Sequence, residues 1–143
     1  MKSIPTVGVL IYKDDTVLLV RHGAKASHLT GWYGVPAGRL EEGETNIQAA
    51  VRELQEETGL VTHESDLLQL QLTMPPVDIP RKDGTVKKFT ITLFYCLHYF
   101  GELTSSEETI PEWVKLSKLD DLPLIGMTKQ IVEEGLEEIK SKL

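Results

Sequence analysis

Residues Thr45 to Gly59 leave the chain little freedom in how they fold. Thr45 followed three places later by Gln48 has the form of a capping box, in which each side chain satisfies an orphan backbone donor of a helix start. Ile47, Ala50, Val51 and Leu54 then fall at i, i+3, i+4 and i+7, an apolar stripe that packs on a core. Gly59 supplies a stop that tolerates a left-handed backbone. These signals predict a helix over Asn46 to Thr58. Glu53, Glu56 and Glu57 share another of its faces, roughly 125° round from the stripe at ~100° per residue. Such a helix packs on a core with one side and presents three carboxylates to a cleft with another.

Strand patterns stand on either side of it. Thr6 to Tyr12 reads as a strand, Asp14-Asp15 as a turn, and Thr16 to Val20 as the returning half of a hairpin. Arg21 to Gly31 reads as a loop and Trp32 to Val35 as a short strand stopped by Pro36. Beyond the helix, Leu67 to Met74 alternates as a half-buried strand, Pro75, Pro76 and Pro80 mark a loop, and Asp83-Gly84 signals a hairpin. Phe89 to Phe100 is apolar on nearly both faces, the pattern of a central strand. Glu112 to Leu116 is a strand candidate, Asp120 to Pro123 a turn. Met127 to Leu143 closes as a helix with Val132, Leu136, Ile139 and Leu143 on one stripe. The pattern implies an α/β layered fold, and with no repeat or linker in its 143 residues, one domain over 1–143.

Three like charges on one helix face repel. A hard divalent cation removes that penalty and prefers carboxylate oxygen. Magnesium shares its coordination with water and substrate phosphates, so the face suits hydrolysis of a phosphoanhydride. Taken alone, however, three glutamates are more often a solvated surface. The wider spacing changes the odds: Gly38, five residues, Glu44, seven residues, Arg52-Glu53-Leu54, one residue, Glu56-Glu57, one residue, Gly59-Leu60. This 23-residue stretch with nine specified positions resembles the Nudix box of the Nudix hydrolase superfamily (MutT-like) at every defined position. The approach Trp32-Tyr33-Gly34-Val35-Pro36-Ala37-Gly38 and the late Glu112-Trp113-Val114 are similar to the family too. Ala37 stands where many relatives have glycine.

The resemblance implies a Nudix-type α/β/α sandwich with a mixed β-sheet between helices, and a magnesium (or manganese) dependent hydrolase. The linkage cleaved would be a diphosphate, in a nucleoside triphosphate or related nucleoside diphosphate derivative. Carried over by position, Glu53, Glu56 and Glu57 would be metal ligands, with Glu53 also the residue to hold or deprotonate water. Arg52 would orient the carboxylates through Glu44 or Glu53, and Gly38 would offer its carbonyl or a tight turn. Glu112 has the best register for a further metal ligand or base, ahead of Glu107 and Glu108. Two alternatives stand beside this reading. One is an ADP-ribose or sugar-nucleotide pyrophosphatase, with Pro75 and Pro76 as its hint. The other is a non-catalytic nucleotide-binding regulatory module, against which the intact box counts.

Other residues have weaker claims. Arg21 ends a strand and could reach substrate phosphate or simply be an exposed charge. His22 and His28 in the loop that follows are more often solvated than substrate contacts. Trp32 and Tyr33 could stack on a base, with core packing the better reading for Trp32. Arg81, Lys82, Lys87 and Lys88 form the basic cluster at the Asp83-Gly84 turn, read as a charged hairpin tip that protects a sheet edge rather than a steering patch. Cys96, the one cysteine, reads as a buried small hydrophobe and leaves no intrachain disulfide. The stripe of the last helix is expected to be core unless the chain forms a homodimer through it.

Net charge of −7 argues against a dedicated nucleic-acid partner, though not against phosphate bound through a cation. The start Met1-Lys2-Ser3-Ile4-Pro5 lacks the marks of a signal peptide, and no apolar run approaches the ~18 residues of a membrane span. The expectation is a cytoplasmic protein with a small-molecule nucleotide substrate and no membrane partner.

Overall fold

The computed structural model describes residues 2–26 and 29–142. His28 and Leu143, both singled out above, lie outside them. Among the described residues, nine strands run in chain order as β1 (Ile4–Leu10), β2 (Tyr12–Lys13), β3 (Thr16–His22), β4 (Tyr33–Gly34), β5 (Ala37–Arg39), β6 (Leu67–Gln69), β7 (Val77–Pro80), β8 (Val86–Cys96) and β9 (Thr109–Lys115), with helices α1 (Asn46–Thr58) and α2 (Thr128–Lys142).

The hairpin expected at the start is real only at its tip. Tyr12 and Lys13 pair with Val17 and Thr16, whereas β1 leaves them to lie parallel to β8, with Thr6 opposite Ile91. One sheet runs β5-β1-β8-β6, with β7 also on β8; the other runs β2-β3-β4, with β9 on β3. The mixed sheet is therefore realised as two. β8 is central, with β1 on one side and β6 and β7 on the other. It ends at Cys96 rather than Phe100, and Leu97 and Phe100 are exposed.

Alternation divides the core. Val7, Val9, Phe94 and Cys96 point to one face and pack with Ala49, Ala50 and Leu54 of α1. Leu10 and Leu93 point to the other and pack with Ile131, Val132 and Ile139 of α2. Two helices on opposite faces of strands make the α/β/α layering. Of the stripe expected on α2, Val132 and Ile139 are core within the chain, whereas Leu136 is only partly buried and Ile131 and Gly135 fill the buried face instead; Cys96 is buried. Among the described residues no helix is long and apolar enough to cross a membrane.

Local chemistry explains where elements stop. The capping box forms, with Thr45 Oγ1 accepting from the Gln48 N–H at 3.2 Å and Gln48 Oε1 from the Thr45 N–H at 3.0 Å. Gly59 ends α1 at φ 84°. The strand expected over Leu67 to Met74 stops at Gln69 because a carboxylate takes over the donors. Glu138 of α2 accepts the Gln71 and Leu72 N–H groups at 2.6 and 2.8 Å. Other boundaries also moved: β3 runs on through Arg21 and His22, Pro80 belongs to edge strand β7, and Leu116 to Asp121 form a 3-10 turn.

Gly135 lets α2 lie close on the sheet, since a methyl group there would overlap Leu10 Cδ1. Leu10 is fully buried, so the packed core around it resists its movement. Gly135→Val should destabilise by about 1–3 kcal/mol through overpacking, although glycine is the poorer helix former by up to ~1 kcal/mol. Thermal unfolding should show a midpoint lower by several degrees; an unchanged or higher midpoint would mean that α2 can shift to make room.

Candidate active site

Strand β5 is an edge of its sheet, and the chain folds α1 back over it. Edge strands expose unpaired backbone donors, and here one is taken up: Glu57 Oε1 accepts the Ala37 N–H at 2.7 Å. One residue on, the Glu53 carboxyl lies directly against the Cα of Gly38, where a methyl group would overlap all three of its carboxyl atoms. Gly38 is paired in the strand with Val7 and makes no tight turn. Its contribution is the missing side chain.

Arg52 organises the acidic groups around it. Its Nε and Nη2 grip Glu44 at 2.7 and 2.8 Å, and its Nη1 meets Glu53 at 2.8 Å and Glu56 at 3.2 Å. Nη2 also donates to the Arg39 carbonyl at 3.0 Å. Both partners named for Arg52 from the sequence are engaged at once, because a planar guanidinium carries five donors in a fixed fork. The Arg52 hydrogen bond, then the Glu41 N–H, hold the Glu44 carboxyl down at about 2. The Glu53 carboxyl is instead raised, as its burial outweighs the help of Arg52. Burial pushes Glu57 up to about 8 against its Ala37 hydrogen bond, with the charges of Glu53 and Glu56 adding to the rise. Two carboxyls of the helix are thus costly to ionise without a cation.

Glu53 and Glu57 open on a cavity of about 310 Å³, the low end of ligand-sized sites. Its walls come from β1, β5, β7 and β8 and from the segment leading into α2, among them Phe89, Ile91, Ile125 and Met127. His22, Pro75, Arg39 and Arg81 also line it. Arg81 therefore faces the cavity and does not only guard a hairpin tip, and Arg39 was missed altogether. A cation directly after the Gly38 position was the available signal for Arg39.

Glu56 stays at the rim, with its side chain 56% exposed. Arg21 and Glu112 are not among the cavity's lining residues and pair with one another at 3.7 Å. Glu112 also accepts the Tyr33 hydroxyl at 3.1 Å. Their adjacency follows from β3 and β9 register, in which Leu19 faces Glu112 and Arg21 faces Ile110. Trp32 is 41% exposed rather than core. Lys25 pairs with Glu107 at 2.8 Å in the loop that follows β3.

Among the described residues no three His, Cys, Asp or Glu side chains converge as a ready-made cation site. Magnesium does not require one. It is usually held by one or two carboxylates, completing its shell with water and substrate phosphate. Glu53 over a position empty of side chain, and Glu57 buried beside it, are hard oxygen donors facing one cavity, so the donor set fits magnesium or manganese.

A family model described as NUDIX domain matches residues 2–134. An 8-oxo-dGTP diphosphatase of Proteus vulgaris is 33% identical over 100 residues, 70% of this chain and 80% of that protein. The NAD-capped RNA hydrolase NudC of Vibrio atlanticus is 28% identical over 143 residues, and the match spans 97% of this chain but 48% of that one. The chain spans half or less of the length of several curated relatives it matches. The crystal structure of a MutT protein from Methanosarcina mazei shares the fold, with a TM-score of 0.72 at 23% identity over 96% of each chain.

Proposed function

The chain belongs to the Nudix hydrolase family, and from that membership we propose that it hydrolyses the diphosphate linkage of a nucleoside triphosphate or related nucleoside diphosphate derivative. The observation that carries the reading is the Gly38 position, where a strand without a side chain lets the Glu53 carboxyl reach a cavity of about 310 Å³. Glu53 and Glu57 would hold magnesium or manganese, with Glu56 at the rim. The ion, when bound, neutralises diphosphate charge and polarises phosphorus.

The chain's own residues do the rest. Arg52 locks Glu44, Glu53 and Glu56 into one network, so the carboxylates meet the substrate already placed. Glu53, raised by burial, is the group suited to accept a proton from attacking water. Glu112, paired with Arg21 and Tyr33, braces β3 against β9 in the same reading. Supporting the substrate class are the 8-oxo-dGTP diphosphatase relatives, of whose length the chain spans 80% and 84%. Pro75 lines the cavity, which keeps ADP-ribose in the comparison.

The test is a screen for pyrophosphate and phosphate release with magnesium across nucleoside triphosphates, dinucleoside polyphosphates and sugar nucleotides. Pyrophosphate from a triphosphate is the expected product. Cleavage of ADP-ribose alone would replace the triphosphate reading. Binding without turnover on any substrate would sink it in favour of a regulatory module.

A further inference from the structure

The cavity has a mixed lining. Glu53 and Glu57 line it together with the apolar Phe89, Ile91, Ile125 and Met127. The described lining residues include no Asn, Gln or Asp. Of the cavity's other polar side chains, Thr6 and Thr128 donate their hydroxyls to backbone carbonyls, and Glu53 and Glu57 are engaged by Arg52 and the Ala37 N–H. Contact with a base edge therefore falls to His22, Thr90 and Arg81. Arg39 lines the cavity as well. Its carbonyl is tied to Arg52, and its guanidinium lies 5.4 Å from the centroid of the Phe89 ring. Among the described residues no carboxylate pairs with that guanidinium, in a chain carrying 22 acidic residues against 15 Lys and Arg.

A guanidinium is planar, weakly hydrated and stacks on aromatic faces. A flat heterocycle is the ligand that extends such a stack, and stacking is tolerant of base identity because every base has a π-face. We propose that the Arg39 guanidinium over the Phe89 ring grips the nucleobase by stacking, and that this grip rather than edge hydrogen bonding decides which bases the chain accepts. Bases of similar size are then accepted alike, guanine and 8-oxoguanine included. An apolar pocket separates such near-isosteres by no more than about a hundredfold. The inference rests on the reading of the site as one for nucleotides and adds how the base is chosen.

The experiment is calorimetric binding of GMP, 8-oxo-GMP and AMP, with ribose 5-phosphate as the baseless control, followed by turnover of the matching triphosphates. The three nucleotides should bind within about tenfold of one another, and ribose 5-phosphate at least tenfold more weakly, as stacking on an aromatic wall implies. Arg39→Gln, Arg39→Lys and Phe89→Leu should each weaken all three nucleotides by roughly the same factor and leave ribose 5-phosphate unchanged. Lysine keeps the charge but not the plane, so Arg39→Lys separates stacking from phosphate contact. Wild-type affinity in Arg39→Lys with weaker ribose 5-phosphate binding in Arg39→Gln would overturn the grip. So would a preference above a hundredfold for one base, or no binding of any nucleotide. Loss of turnover with this binding pattern intact would sink the hydrolase and leave the grip; turnover that ignores all three substitutions would do the reverse.

Discussion

Glu57→Gln should lose activity and gain stability. The glutamine keeps the side-chain oxygen that accepts the Ala37 N–H, so the backbone of β5 stays capped, but it removes one of two carboxylates facing the cavity. Loss of one preorganised electrostatic group lowers turnover by about a hundredfold to a thousandfold. The stability sign follows from the raised carboxyl, which titrates at about 8 when folded against an ordinary 4.5. Between those values the unfolded chain has released its proton while the folded chain retains it. The contribution is therefore full below pH 4.5 and is lost as pH rises to about 8, at about 1.4 kcal/mol per pH unit. Thermal unfolding in chelator from pH 5 to 8 should show this fall in the parent protein and a smaller one, left by the raised Glu53 carboxyl, in Glu57→Gln, which should melt higher at pH 8. Magnesium should raise the parent's midpoint more than the variant's. Parent-like turnover in Glu57→Gln would refute the site, whatever the melting curves showed.

Gly38→Ala should be nearly as damaging with far less change in charge. The backbone at this position accepts alanine, but the added methyl overlaps the Glu53 carboxyl, which must rotate away from the strand and from its Arg52 partner. Displacements of about 1 Å in a positioned group can cost ~100-fold in rate, and that is the expected loss in kcat/KM. Folding should survive, because β5 is a short edge strand and Gly38 is only partly buried. The cause can be isolated with a double-mutant cycle. In a Glu53→Ala background, Gly38→Ala should bring little further loss; full additivity would place the effect of Gly38 elsewhere than Glu53.

How much of this was written locally differs from element to element. The boundaries of α1, its capping box, its glycine stop and the split between its apolar stripe and its carboxylates all depend on residues within a turn or two of each other, so the sequence by itself determined them. The box residues Gly38, Glu44, Arg52, Glu53, Glu56 and Glu57 were legible for the same reason, since their spacing is local. Partners distant in sequence were not. Alternation announces β1 as a strand but is blind to its neighbour, and parallel pairing with β8, Thr6 opposite Ile91, takes the place of all but the tip of the hairpin that proximity suggested. The half-buried alternation of Leu68 to Met74 survives, yet its ladder ends early because Glu138, on the last helix, claims the strand's donors.

The same divide runs through the site. Which carboxylates share a helix face is a property of helical periodicity, while which of them is buried is a property of what packs over the helix. Only the tertiary structure decided that Glu53 and Glu57 turn inward and Glu56 outward, that Arg21 meets Glu112, and that the Arg39 guanidinium lies over Phe89. Burial and strand order are set by the whole chain at once, and they govern both the desolvation of a carboxyl and the company of a guanidinium.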